Sequence, residues 1–171
     1  LITLDGVDGS GKTTQAKLLI KELEENGFNV VYIKEPDGVF RDLLLHSEYY
    51  DFSLKEQLLL FIVNRIQDSK YIKEMIDNGI IVVSDRFTNS SIVYQLEELA
   101  CVYEDLYENL IYDKDILVPN YDFIVDADID IINVRNEYKT KDKIENSIDL
   151  IQIKTRFIKL SECNNIPLIS T

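Results

Sequence analysis

The run Gly6-Val7-Asp8-Gly9-Ser10-Gly11-Lys12-Thr13 fits G-x-x-x-x-G-K-[S/T], and no other stretch constrains the chain so tightly. In that pattern the glycines let successive backbone N–H groups turn inward around a polyphosphate. Lys12 reaches the outer phosphates, Thr13 offers its hydroxyl to Mg²⁺, and the start of the following helix adds partial positive charge. A Gly-rich turn can match by accident, but the four fixed positions do so in only about one chain of this length in two hundred. The flanks lower that figure. Leu1 to Leu4 reads as a buried strand, and Lys12 to Asn26 reads as a helix with Ala16, Leu19, Ile20 and Leu23 along one face. A nucleotide is the expected ligand.

The pattern continues as strands alternating with helices. Asn29 to Lys34 is a β-branched run, and Glu35-Pro36-Asp37-Gly38 reads as a turn. Ser53-Leu54-Lys55-Glu56 is a capping box opening a long helix that ends at Gly79. Ile80 to Val83, Tyr121 to Val125 and Ile166 to Ile169 read as further strands. Strands apolar throughout imply an α/β fold, a mostly parallel sheet covered by helices on both faces, within one domain over residues 1–171. Ligands of such sheets bind outside the carboxyl ends of the strands. The residues to watch are therefore the P-loop, Glu35, Asp85, Arg86 and the loop after Asp126.

A formal net charge of −13 repels nucleic acid at long range, so a phosphorylated ligand must be held by a local cluster of bases in a cleft. Neither nucleic acid nor a membrane is expected as a partner, since no apolar run approaches a spanning length and none reads as a signal peptide. Cys101 and Cys163 match no metal spacing and read as reduced, partly buried thiols of a cytoplasmic protein. His46 is the only histidine and reads as structural.

Asp85-Arg86-Phe87 falls at a strand end, where a carboxylate beside the P-loop can orient Mg²⁺ and an Arg can offer its planar fork to phosphate. Phe61 and Arg65 lie four apart on the Ser53 helix and share a face. Phe61 reads most simply as core, since it sits in LLLFIV, but a ring one turn before Arg65 also fits stacking on a base beside the guanidinium, and periodicity does not separate the two. The charge-dense segment 134–145 holds Arg135, Lys139, Lys141 and Lys143, which fits either a solvated helix face or a lid over phosphates.

DGVDGSGKTTQ, then EP-x-G, Arg41, LLLFIVNR and DRFTNSSIVYQ follow one another in an order that resembles the thymidylate kinase family over essentially the whole chain. The resemblance implies ATP-dependent phosphorylation of dTMP to dTDP on a five-stranded parallel sheet, with Mg²⁺ and as a homodimer. It implies an ATP site at Gly6 to Thr14, with Thr13 and Asp85 serving the metal. It further implies that Asp8 holds the deoxyribose 3′-hydroxyl and that Glu35, Arg41 and Arg86 line the dTMP phosphate. Phe61 would stack on thymine with Arg65 donating to O4, Ser91 and Gln95 would touch the base, and Tyr94 would fill the space of a ribose 2′-hydroxyl. Asp142-Lys143-Ile144-Glu145 resembles the lid motif D-R-x-E with Lys for Arg.

Some positions depart from the family pattern. Asp5 stands where Glu is usual, Asp37-Gly38-Val39 replaces Gly-Gly-Thr, and Arg41 comes several residues early. Transfer between two phosphates needs alignment and charge neutralisation rather than a general base, because the acceptor is already largely dianionic. Lys12, Arg41, Asp85 and Arg86 are the expected catalytic set. Another P-loop nucleoside or nucleotide kinase, or a catalytically weak nucleotide-binding regulator, remains the alternative.

Overall fold

The computed structural model describes residues 1–46, 51–96, 109–110, 112–137 and 149–171. Five strands, β1 (Ile2–Asp5), β2 (Val30–Lys34), β3 (Ile81–Asp85), β4 (Tyr121–Asp126) and β5 (Leu168–Ser170), form one sheet in the order β2-β3-β1-β4-β5. Every pairing is parallel. The helices are α1 (Lys12–Glu25), α2 (Gly38–Arg41), α3 (Leu54–Asp77), α4 (Thr88–Ser91), α5 (Ile129–Glu137) and α6 (Leu150–Asn164). Wider π turns, Asp42–His46 and Ile92–Leu96, continue α2 and α4.

Neighbouring strand residues point to opposite faces, and the core divides accordingly. Leu4, Val83 and Val125 face α1, where Ala16 is buried and Leu19, Ile20 and Leu23 pack around it. One residue away, Val82 packs with Leu58, Ile62 and Ile72 of α3, and Ile124 packs with Ile153 and Phe157 of α6. The sheet is therefore covered on both sides, as the apolar runs require.

The helix ends follow the local chemistry. Ser53 and Glu56 make the reciprocal bonds of a capping box. Gly27 takes φ +85°, its N–H donates to the Glu24 carbonyl and that of Phe28 to Leu23, which closes α1 in a Schellman turn. Elsewhere the structure corrects the sequence reading. β3 runs on to Asp85 rather than stopping at Val83, because Ser84 and Asp85 keep register with Thr3 and Leu4 on one side and Ile33 and Lys34 on the other. Gly38 opens α2 instead of completing a turn, and Cys163 is exposed on α6 rather than partly buried.

Candidate active site

β1 lies at the centre of the sheet, and the loop leaving it wraps over the start of α1. Gly6 adopts φ +150° where a Cβ would fall 2.2 Å from the Val125 carbonyl oxygen, so the main chain crosses β4 at a distance only glycine permits. Gly11 is the N-cap of α1 and offers no side chain to the helix, which leaves the first-turn N–H groups open to an anion. Lys12 is buried and lies back along its own loop, with Nζ donating to the Val7 carbonyl at 2.9 Å and standing 3.8 Å from Asp8. Burial and the neighbouring Arg86 depress its pKa to about 8, against the pull of Asp8, Asp85 and Asp5. A bound polyphosphate reverses that balance by supplying countercharge.

Asp85 ends β3 beside this loop. Thr13 Oγ1 donates to Asp85 Oδ2 at 2.5 Å, the Tyr32 hydroxyl donates to the same oxygen at 3.0 Å, and Lys34 Nζ stands 3.9 Å away. Burial pushes the Asp85 carboxyl up, but Lys12, the Thr13 hydroxyl, Arg86 and Lys34 outweigh it and hold the carboxyl below its ordinary range. Asp85 Oδ1 is buried and has no hydrogen-bond partner among the described residues. With its proton committed to Asp85, Thr13 keeps its lone pairs for a cation. An ionised carboxylate with an unused oxygen beside such a hydroxyl is a donor set of the kind Mg²⁺ takes.

On the far side of Asp8 lies an open cleft. Asp8, Glu35, Arg41, Phe61, Arg65, Arg86, Ser91, Tyr94 and Gln95, the nine residues expected at the acceptor, all line it. Arg86 spans the border between this cleft and the P-loop. Its Nη2 donates to Asp8 Oδ2 at 2.5 Å, its Nη1 to the Gly6 carbonyl at 3.4 Å and Ser90 Oγ at 3.3 Å, and its guanidinium carbon sits 5.2 Å from the Tyr94 ring centre. Arg41 sits at the rim, its Nη1 3.5 Å from the Pro36 carbonyl.

Glu35 and Arg65 form a buried pair rather than acting separately. Both Glu35 oxygens accept from Arg65, the shortest contact being 2.6 Å, and Arg65 Nη2 also donates to the Phe87 carbonyl and to Ser91. Burial pushes the Glu35 carboxyl upward and the Arg65 guanidinium pulls it back. Arg65 Nη1 is buried without a hydrogen-bond partner among the described residues. Asn64 fixes the neighbouring turn, accepting from the Asp37 N–H and donating to the carboxylates of Asp37 and Asp68.

α5 reaches the P-loop from the other side. Arg135 Nη1 donates to the Gly9 carbonyl at 3.0 Å and to Thr171 Oγ1 at 3.1 Å, while Asn136 Nδ2 donates to the Asp8 carbonyl at 3.0 Å. Of the proposed lid only 134–137 is described, and it is the end of α5; Lys139, Lys141, Lys143 and the Asp142–Glu145 motif lie outside the described residues. Asp126, at the ligand edge of β4, is paired with Lys154 of α6. Tyr32, Lys34, Asn64, Ser90 and Asn136 were not singled out in sequence. Three of them carried a usable signal: Lys34 as a base at the carboxyl end of a strand, and Asn64 and Ser90 as members of LLLFIVNR and DRFTNSSIVYQ.

Comparison with known proteins agrees with this architecture. The sequence model of the thymidylate kinase family matches residues 4–171. A thymidylate kinase from Thermosipho melanesiensis is 34% identical over 172 residues, covering 94% of this chain and 83% of its own. The solved structure of a thymidylate kinase from Candida albicans superposes with a TM-score of 0.80 at 22% identity, over 99% of this chain and 82% of that one, a likeness of fold. That of thymidylate kinase from Ehrlichia chaffeensis gives 0.74 at 29% identity, over 99% and 87%. With a cleft facing a P-loop across Arg86, and with the family match running almost the whole length of the sequence, the chain belongs to the thymidylate kinase family.

Proposed function

We propose that the cleft holds dTMP with its phosphate towards Arg86 and Arg41, and that the P-loop, Gly6 to Thr14, holds ATP with its γ-phosphate towards the same point. The reaction is the family's, phosphorylation of dTMP to dTDP with ATP. One observation supports this placement above the others: all nine acceptor residues expected from the motif order line a single cleft, and Arg86 joins that cleft to the P-loop. Phe61 stacks on the base, Arg65 donates to its O4, Asp8 takes the 3′-hydroxyl, Ser91 and Gln95 touch the base, and Tyr94 closes the space of a 2′-hydroxyl. Glu35 acts through Arg65, since both its oxygens are engaged there.

An oxygen of the dTMP phosphate attacks Pγ as the bond from Pγ to the β-γ bridging oxygen breaks, and ADP leaves. No base takes a proton, because the acceptor oxygen is already ionised. Arg86 and Arg41 offset the repulsion of the two anions, and Lys12 neutralises charge accumulating on the leaving oxygen. Thr13 and Asp85 would hold Mg²⁺, which when bound neutralises the β- and γ-oxygens of ATP. Arg135 would steady the donor side through Gly9, with Lys139, Lys141 and Lys143 as the lid bases. The same reading makes the protein a cytoplasmic homodimer, an assembly that sedimentation would report.

A coupled assay of ADP release with dTMP, dUMP, dCMP, dGMP and AMP tests the assignment. Turnover of dTMP ahead of the others is expected. Turnover of AMP without dTMP would overturn it in favour of another nucleotide kinase, and binding of ATP and dTMP without turnover would make the chain a regulator.

A further inference from the structure

Asp5, the last residue of β1, is wholly buried and does not itself line the cleft. Its Oδ1 accepts three hydrogen bonds, from the Phe87 N–H at 3.0 Å, the Ser90 N–H at 3.0 Å and the Ser90 hydroxyl at 2.5 Å. Those donors belong to the start of the helical segment formed by α4 and its continuation to Leu96. A helix leaves its first N–H groups unpaired, and a polar side chain at the N-cap ordinarily satisfies one at the second or third position. Here the N-cap is Phe87, which has no acceptor to give, and no local side chain caps the helix. The carboxylate of another strand does so, sharing the third-position N–H of Ser90 with the Phe87 carbonyl, which accepts it at 3.1 Å.

The residue just before this segment is Arg86, in a left-handed conformation at φ +80°. Such a backbone is costly for a side chain with a Cβ and relaxes unless its neighbours hold it. Three contacts do: the Arg86 N–H donates to the Leu4 carbonyl at 3.0 Å, the Ser84 hydroxyl donates to the Arg86 carbonyl at 2.6 Å, and Asp5 secures the next N–H along. The segment so capped carries Ser90, Ser91, Tyr94 and Gln95 into the cleft.

We propose that Asp5 is a positioning residue for the acceptor half of the site, serving as an N-cap in trans to the 88–96 segment and fixing the backbone from which Arg86 projects. The inference rests on the proposed placement of dTMP. Asp5 is anchored on the strand that leads into the P-loop, so it sets the offset between donor loop and acceptor arginine without contacting either nucleotide.

Steady-state kinetics combined with amide hydrogen exchange tests this on the intact chain. Asp5→Ala is expected to raise the dTMP KM about tenfold or more while the ATP KM moves less than about twofold, the loss of a charge-assisted cap on one side only. Asp5→Asn retains an acceptor at Oδ1 and is expected to recover most of that loss. In the wild type, the Phe87 and Ser90 amides are expected to exchange as slowly as those of β3, and to quicken in Asp5→Ala. The wild-type exchange needs no variant, so it stands even where Asp5→Ala does not fold. Fast exchange of those two amides in the wild type, equal rises in both KM values, or no rescue by Asn would each overturn the proposal. Failure of the wild type to turn over dTMP strikes the substrate assignment instead, and the exchange result then still decides whether Asp5 caps the segment.

Discussion

Thr13 Oγ1 and Asp85 Oδ2 stand 2.5 Å apart, so the first turn of α1 is tied to the end of β3 by a hydroxyl and a carboxylate seventy-two residues apart in sequence. Tyr32 braces the same oxygen from β2. Asp85→Asn is expected to weaken the Mg²⁺ dependence of turnover about 10–100-fold, the usual range for groups that orient a metal site. Tyr32→Phe should act in the same direction and less strongly. Titration of Mn²⁺ binding in the presence of ATP, followed by paramagnetic resonance, reads the effect separately from activity.

Lys12 gives the protein a pH signature. Its pKa is depressed from 10.5 to about 8 in the free fold, and ATP phosphates would raise it again. Binding at pH 8 to 9 therefore takes up protons, approaching one per site, and binding at pH 6.5 takes up almost none. Calorimetry in buffers of different ionisation enthalpy measures this directly. In the ligand-free protein the unfolded chain holds a proton between 8 and 10.5 that the native chain has released. The contribution of Lys12 to stability is thus present above 10.5 and is lost as pH falls through 8.

Gly9 has φ +88°, and a Cβ there would lie 2.9 Å from Asn136 Oδ1. Gly9→Ala is expected to lower stability by about 1–2 kcal/mol from the backbone alone, with a further loss from displacing Asn136. Combining it with Asn136→Ala removes the clash but not the backbone strain, so the double variant should be less unstable than the sum of the two. Thermal unfolding of the four proteins checks the cycle.

Glu35→Gln leaves the Arg65 guanidinium buried without its countercharge. Breaking a buried ion pair on one side typically costs about 3–5 kcal/mol, and the dTMP KM should rise with it because Arg65 loses its orientation. Urea denaturation gives the first quantity and initial rates the second. A stability loss under about 1 kcal/mol, as for an exposed pair, would show that the pair is not closed off from water.

The parts of the site legible in the sequence were those whose geometry is local. The P-loop declares itself because eight consecutive residues carry the shape, and the capping box at Ser53 because its partners are three apart. Helical spacing put Phe61 and Arg65 on one face but could not distinguish a core ring from a cleft wall. Glu35 was expected beside a phosphate, yet its two oxygens belong to Arg65, thirty residues away. The partners of Asp5, Tyr32 and Asn136 were invisible for the same reason: they lie 85, 53 and 128 positions off, and no periodicity links residues that meet only when the sheet is assembled.

Arg65 has one further consequence. Folding occupies its Nε and Nη2 and leaves Nη1 buried with no hydrogen-bond partner among the described residues. On the proposed placement of the base, a pyrimidine whose carbonyl reached that edge would finish the guanidinium's bonding, whereas one presenting an amine would set hydrogen against hydrogen. The protein would thus tell thymine from cytosine by what its own interior lacks.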